Sequence, residues 1–161
     1  MKNKPYYQNF YKLQMAIMET NDNVVIFGPA ASGKCDALER CIEEYGKENN
    51  VALLTRKTAL MIEAYKHPNV TCINWDTSIK KIEPSWLKDK YEYIIIDGYC
   101  ENWKNVVEAF PEARIIMALR ADTNKDIPTE VKQHFRIVAK CGFVDTEHKT
   151  KGITSVRHYK G

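Results

Sequence analysis

The fold is decided by the stretch Val24-Val25-Ile26-Phe27-Gly28-Pro29-Ala30-Ala31-Ser32-Gly33-Lys34-Cys35. Its first four residues are apolar, which is typical of a buried strand. A turn framed by glycines follows, and a helical pattern begins at Ser32. A strand, then G-x-x-x-x-G-K, then a helix is the order that a phosphate-binding loop (P-loop) requires. The stretch therefore predicts a site for the phosphates of a nucleotide.

Each part of this loop has a chemical role. Gly28 and Gly33 permit a tight turn whose backbone N–H groups point inward, and the helix N-terminus adds a partial positive charge. Lys34 is expected to reach the β- and γ-phosphates and is the first predicted catalytic residue. The predicted nucleotide-binding residues of the loop are Gly28, Pro29, Ala30, Ala31, Ser32, Gly33, Lys34 and Cys35.

Cys35 departs from the usual loop pattern, which has Ser or Thr at this position so that a hydroxyl can bind Mg²⁺. A thiol is a soft ligand, whereas Mg²⁺ prefers hard oxygen ligands. Cys35 therefore weakens the metal anchor without changing the phosphate cradle. Two interpretations stay open: a small residue suffices here and water completes the site, or the protein binds nucleotide and hydrolyses it slowly or not at all.

A second element of the site is the apolar run of residues 94–96, which ends in Asp97. Ligands of open α/β sheets bind at the carboxyl ends of the strands, so Asp97 is predicted to lie beside the P-loop and to hold a Mg²⁺-bound water. The alternative is that Asp97 caps the turn into the next helix. The residue after Asp97, where a carboxylate would polarise the attacking water, is Gly98, and Glu101 is the nearest substitute. The predicted catalytic residues are therefore Lys34, Asp97 and Glu101. The predicted cofactors are thus ATP and Mg²⁺, with Cys35 and Asp97 as metal ligands.

Strand and helix patterns alternate along the whole chain. Helical spacing predicts helices at about 6–20, 32–48, 58–67, 78–90, 101–110 and 128–134, the one at 78–90 interrupted near Pro84. Apolar runs predict strands at 24–27, 51–55, 70–73, 93–96 and 114–119, and two more at 136–143 and 153–159. The alternation predicts a three-layer α/β fold with a mainly parallel sheet and helices on both faces. We expect one domain over residues 1–161, with a C-terminal β-hairpin at about 135–161.

Composition narrows the class of protein. The sequence has 161 residues, of which 44% are hydrophobic and 28% charged, as in ordinary globular proteins. No apolar run approaches a membrane span, and the first residues lack an apolar signal region. The five scattered cysteines form no C-x-x-C pair, which argues against a zinc site and for free thiols. We therefore expect a cytoplasmic protein, bacterial or viral-host, that does not act on a membrane.

The net charge is only +3, but basic residues concentrate after Lys132. Basic stretches that carry aromatic residues, such as residues 156–160, can contact nucleic acid. A solvated, charged tail explains the same pattern.

Several segments, in order, resemble the motifs of superfamily 1 DNA helicases. Residues 10–17 resemble the Q-motif, in which a Gln reads the adenine edge, and Gln14 would take that role. Residues 28–35 match motif I, residues 53–59 look like motif Ia, which contacts single-stranded DNA, and residues 97–102 resemble motif II. The resemblance covers about residues 8–125. It implies the first RecA-like domain of such a helicase, ATP hydrolysis, and single-stranded DNA or another nucleic acid as partner.

The sequence departs from that family at three points: Cys35 replaces Ser or Thr, Gly98 replaces Glu, and residues 115–122, where motif III would follow, contain no Gln. A helicase motor also needs a second RecA-like domain, for which 161 residues leave no room, so we expect action in a homo-oligomer or with a partner protein. An arginine supplied in trans would be Arg114, Arg120 or Arg136.

The loop is also close to that of the compact thymidine kinases, although the Cys-x-x-Cys zinc lasso of those enzymes is missing. Three functions therefore stay open: a helicase-like ATPase, a nucleoside kinase, and a nucleotide-binding module without turnover.

Overall fold

The computed structural model describes residues 7–75, 79–88 and 90–159. Five helices lie in these ranges: α1 Phe10–Glu19, α2 Lys34–Tyr45, α3 Thr58–Tyr65, α4 Trp103–Ala109 and α5 Thr129–His134. The strands described are β1 Val24–Gly28, β2 Val51–Thr55, β3 Val70–Asn74, β4 Tyr93–Asp97, β5 Arg114–Arg120, β6 Ile137–Asp145 and β7 Thr150–His158. Short 3-10 turns cover Pro84–Trp86 and Asn124–Asp126.

The described strands form one sheet in the order β3-β2-β4-β5-β1-β6-β7. Neighbouring strands pair in parallel from β3 to β6, and β7 pairs antiparallel with β6 to form a hairpin. The parallel strands end at the same edge of the sheet, which places the loop after β1 and Asp97 of β4 on that edge. One strand, β5, separates β1 from β4.

Helices cover both faces of this sheet. On one face the apolar side chains of α1, α2 and α3 pack in one cluster, and on the other α4, α5 and the segment 79–88 pack in a second. The strand β1 shows the alternation of a pleated strand: Val24 and Ile26 face the first cluster, while Val25 and Phe27 face the second. The predicted three-layer α/β fold with a mainly parallel sheet is confirmed.

The helix predicted at 78–90 is wrong for the residues described there. Residues 79–88 and 90 contain only the 3-10 turn at Pro84–Trp86, and residues 78 and 89 lie outside the described ranges. Pro84 has no N–H and biases Glu83 away from helical geometry. The Asn102 side chain binds both backbone groups of Ile82, accepting from its N–H at 2.8 Å and donating to its carbonyl. The buried Ile82 and Leu87 side chains then anchor the segment on the sheet, and its only helical turn is the 3-10 turn.

No helix in the described ranges is long and apolar enough to cross a membrane.

Candidate phosphate-binding site

The loop between β1 and α2 curls tightly around Ser32. A Cβ at Gly28 would overlap the Ser32 hydroxyl and lie 2.9 Å from the carbonyl oxygen of Cys141, so only glycine fits there. Ala31 and Gly33 have φ of 59° and 100°, the left-handed conformation that turns the chain into the helix. No side chain caps the start of α2, so the N–H groups of its first turn face the loop, as an anion site requires.

The Lys34 side chain is folded back over the loop. Its amine donates hydrogen bonds to the carbonyl oxygens of Gly28 at 2.9 Å and Pro29 at 2.7 Å. Partial burial lowers the pKa of Lys34, and the positive charges of Lys57 and Arg120 lower it further. To hold a phosphate, the amine exchanges these two carbonyl oxygens for phosphate oxygens.

Ser32 adds an unused polar group inside the loop. Its side chain is buried, and its hydroxyl has no hydrogen-bond partner among the described residues. A buried hydroxyl without a partner carries a free-energy penalty, which an oxygen ligand in the loop would remove. The Ser32 hydroxyl and the Lys34 amine both lie against Gly28, an arrangement that fits a phosphoryl group.

Asp97 ends β4 at the same edge of the sheet and is 8% exposed. The hydroxyl of Thr55, at the end of β2, donates to Asp97 Oδ2 at 2.9 Å. The Lys57 amine lies 3.7 Å from Asp97 Oδ1. Both carboxylate oxygens therefore already have a partner. The Thr55 hydroxyl in turn accepts a hydrogen bond from the backbone N–H of Lys57 at 3.0 Å, which ties the end of β2 to the carboxylate.

Cys35 lies in the first turn of α2 and is half-buried. Burial raises the pKa of its thiol; the charge of Lys57 opposes this shift and that of Asp97 adds to it. The two predicted metal ligands, Cys35 and Asp97, thus influence each other electrostatically across the loop. Cys35 presents a neutral thiol in that space at ordinary pH.

The other predicted site residues are not joined to the loop by the contacts described. Gln14 is half-buried in the second turn of α1, and the adenine-reading role of its amide stays a prediction. Glu101 lies in the exposed turn after Asp97, where its backbone N–H donates to the carbonyl of Lys80 at 3.3 Å. Its role in activating water also stays a prediction.

Comparisons with known proteins give a match in structure only. No protein-family model and no curated protein matches the sequence. The VirB11 ATPase of the Brucella suis type IV secretion system, solved in complex with sulphate, superposes with a TM-score of 0.65 at 14% identity, covering 97% of this chain and 56% of that one. The ATPase DotB of Legionella pneumophila gives a TM-score of 0.59 at 13% identity, covering 93% of this chain and 49% of that one.

This chain has the P-loop NTPase fold. It spans about half the length of these two structures. At such low identity the likeness shows the fold alone, and it does not single out the superfamily 1 helicases among P-loop NTPases.

Sequence reasoning missed the position of the C-terminal hairpin beside the loop of residues 28–35. The Cys141 carbonyl of β6 borders Gly28, and the Lys151 side chain of β7 lies 3.1 Å from the place of a Cβ on Gly33. The Tyr7 ring borders Gly33 from the other side, and its hydroxyl hydrogen-bonds the Cys141 thiol at 3.0 Å. Residues of the basic C-terminal segment thus pack against the loop. No local pattern reveals this, because the contact depends on β6 lying beside β1.

The three arginines considered for action in trans lie at different places. The Arg114 guanidinium donates to the carbonyl oxygens of Ile17 and Asp22, at the edge of the sheet opposite the loop. Arg136 is exposed just before β6, also on that opposite side. Arg120 ends β5 and pairs in register with Gly28, so it lies at the loop of its own chain.

Proposed function

We propose that this protein binds ATP at the loop of residues 28–35 and hydrolyses it. The observation that carries the proposal is the convergence of the Lys34 amine, the unpartnered Ser32 hydroxyl and the uncapped start of α2 on one small space. These are three groups that stabilise negative oxygen, and they follow the strand–loop–helix order of a nucleotide phosphate site.

In the proposed reaction the loop after β1 holds the transferred phosphate, and Asp97 faces it from the end of β4, on the far side of β5. Two strand spacings separate β1 from β4, roughly 10 Å, which leaves room for a phosphate and a water between them. Loop N–H groups and the Lys34 amine bind the phosphate oxygens and stabilise the charge that develops on them. Asp97, fixed by Thr55, orients the attacking water, and Glu101 accepts its proton.

Magnesium usually accompanies nucleotides in P-loop proteins, but the predicted donors fit it poorly here. Cys35 offers a soft, neutral thiol where Mg²⁺ prefers an oxygen ligand, and in the nucleotide-free protein the Lys57 amine lies 3.7 Å from Asp97 Oδ1. No step of the proposed reaction is therefore assigned to the metal.

The test is release of inorganic phosphate from ATP by the purified protein, beside ATP binding followed by calorimetry. Lys34→Ala is expected to weaken ATP binding by about tenfold or more and to remove turnover. Lys66→Ala is the matched control, because Lys66 lies at the far end of α3 in an ion pair with Glu63 at 3.1 Å. Equal ATP affinity of the Lys34 variant and the wild type would refute the proposal. Binding without phosphate release would favour the nucleotide-binding module, and transfer to a nucleoside would favour the kinase.

We further propose that the protein acts together with a nucleic acid. Arg56 and Lys57 follow β2 at the edge of the sheet that carries the loop, and the Arg56 guanidinium lies 5.3 Å from the centre of the Trp75 ring. This exposed cation at the same edge of the sheet supports contact with a nucleic-acid backbone. Single-stranded DNA is then expected to stimulate phosphate release in the wild type and not in Arg56→Ala. If the wild type released phosphate at the same rate with and without DNA, the proposed nucleic-acid partner would be refuted.

We also propose that copies of this protein associate with one another. Tyr11, Met15 and Met18 are exposed along α1, and Ile62 and Tyr65 are exposed on α3. Both helices lie on the same face of the sheet, α1 against β6 and β7 and α3 against β2 and β3. The two apolar patches thus lie at opposite ends of one layer. Packing of the α1 patch on the α3 patch of a second copy would give a head-to-tail homo-oligomer.

A further inference from the structure

Lys57 occupies a defined position at the end of β2. Its backbone N–H donates to the Thr55 hydroxyl at 3.0 Å, and that hydroxyl donates to Asp97 Oδ2 at 2.9 Å. The backbone is therefore fixed relative to the carboxylate. The amine lies 3.7 Å from Asp97 Oδ1, while the side chain stays 53% exposed. The backbone of Lys57 is thus fixed beside the carboxylate, and its half-exposed ammonium group lies at the edge of the candidate phosphate site.

The charge of Lys57 also reaches the other side of the site. It acts on the amine of Lys34 within the loop and on the thiol of Cys35 in the first turn of α2. The ammonium group, 3.7 Å from Asp97 Oδ1, borders the space between Asp97 and the start of α2 at the edge of the sheet where the loop lies. A cation that bridges the start of α2, a bound phosphate and the carboxylate of Asp97 would occupy this space.

The residues around this space fit an ammonium group better than Mg²⁺. Mg²⁺ requires close oxygen ligands in near-octahedral geometry, whereas Cys35 supplies sulfur. Asp97 already shares Oδ2 with the Thr55 hydroxyl and Oδ1 with Lys57. An ammonium group needs no fixed geometry, because its three N–H donors rotate on a flexible four-carbon stem.

We propose that Lys57 is a built-in cation of the phosphate site, whose ammonium group offsets part of the negative charge of the bound triphosphate in place of a divalent metal. In the nucleotide-free protein this ammonium group pairs with Asp97, and on binding it moves to a phosphate oxygen while Asp97 keeps the hydrogen bond from Thr55. The protein therefore binds ATP without Mg²⁺. This inference rests on the proposed binding of ATP at the loop, and it assigns the charge balance of that site.

The experiment is titration of the full chain with ATP by calorimetry, in Mg²⁺ and in EDTA. The wild type is expected to bind with affinities within about threefold of each other in the two buffers. Lys57→Gln is expected to lose about tenfold or more in EDTA and to become dependent on Mg²⁺, whereas Lys57→Arg retains binding in EDTA. A change of metal dependence is a readout that a purely structural role of Lys57 would not produce.

Lys66→Gln is the matched control. The side chains of Lys57 and Lys66 are 53% and 55% exposed, and each pairs with one carboxylate, but Lys66 lies at the opposite end of α3. Its variant is expected to bind as the wild type does in both buffers.

Each outcome decides the inference. Wild-type binding that falls tenfold or more in EDTA, or equal EDTA affinities of Lys57→Gln and wild type, would overturn it while leaving ATP binding intact. Absence of ATP binding in both buffers, or binding that Lys34→Ala leaves unchanged, would overturn the proposed function itself and this inference with it. A thermal melt of each variant shows whether a loss of affinity follows unfolding, in which case Lys57→Arg decides.

Discussion

Replacing Thr55 by Val tests whether the Asp97 carboxylate is held as the structure shows. Val has nearly the shape of Thr but neither donates nor accepts a hydrogen bond. The change removes the 2.9 Å bond to Asp97 Oδ2 and the 3.0 Å bond from the N–H of Lys57. Thr55 is fully buried and Asp97 is 8% exposed, so water replaces these bonds poorly.

The magnitude follows from the two bonds. A hydrogen bond to a charged group contributes about 1.5–3 kcal/mol and one between neutral groups about 1 kcal/mol, which gives a loss of about 3 kcal/mol in the free energy of unfolding. In a chain of this size that loss lowers the Tm by about 6–12 °C. Urea denaturation followed by circular dichroism measures the first quantity, and calorimetry measures the second.

The control for Thr55→Val is Thr71→Val. Thr71 is exposed on β3, and its replacement is expected to change the free energy of unfolding by less than about 0.5 kcal/mol. A double-mutant cycle with Asp97→Ala is expected to show a coupling of about 1.5 kcal/mol or more between Thr55 and Asp97. A Thr55→Val variant within about 0.5 kcal/mol of the wild type, with no coupling to Asp97, would refute the reasoning.

Three further predictions follow from the loop, the core and the surface. Gly33→Ala is expected to cost about 1–2 kcal/mol because of the φ of 100° and to weaken ATP binding, since the new Cβ would lie 3.1 Å from Lys151 Cβ. Gly98→Ala has the same strain at a φ of 101° but meets nothing within 4 Å, so equal ATP affinities of these two variants would contradict the steric argument. Burial raises the pKa of the Cys141 thiol from 9.0 to about 11, so the unfolded chain releases this proton at lower pH than the folded protein does. The free energy of unfolding therefore falls between pH 9 and 11, and Cys141→Ala is expected to reduce that fall by about 1.4 kcal/mol per pH unit; identical pH profiles in urea denaturation would show otherwise. Met18, which is 83% exposed on α1, is expected to lie in the contact between copies, so Met18→Lys should lower the mass found by light scattering, and an unchanged mass would exclude this surface.

Most elements were predictable because their signals are local. The apolar runs of β1, β2 and β4 and the spacing of Phe10, Leu13 and Ile17 on α1 identify buried faces without any knowledge of neighbours. The segment 79–88 was not predictable in the same way. Its apolar residues resemble one side of a helix, but both backbone groups of Ile82 are bonded by the side chain of Asn102, 20 residues further along the chain.

In the candidate site, too, some residues could be predicted from local patterns and others could not. The sequence alone identified the loop residues 28–35 and Asp97, because a P-loop is a contiguous motif and Asp97 ends an apolar strand. That Thr55 and Lys57 hold Asp97 depends on β2 pairing with β4, and sheet order is not encoded in the pattern of either strand.

By itself the sequence determined that this chain folds as alternating strands and helices with a phosphate loop after β1, since both follow from periodicity and spacing over a few residues. Only the tertiary structure decided which charges meet at that loop. The pairing of parallel strands aligned the ends of β1, β2, β4 and β5 on one edge and brought Lys34, Lys57, Asp97 and Arg120 together from four separate segments. Their electrostatic interaction depends on distance in space, which the linear chain does not specify.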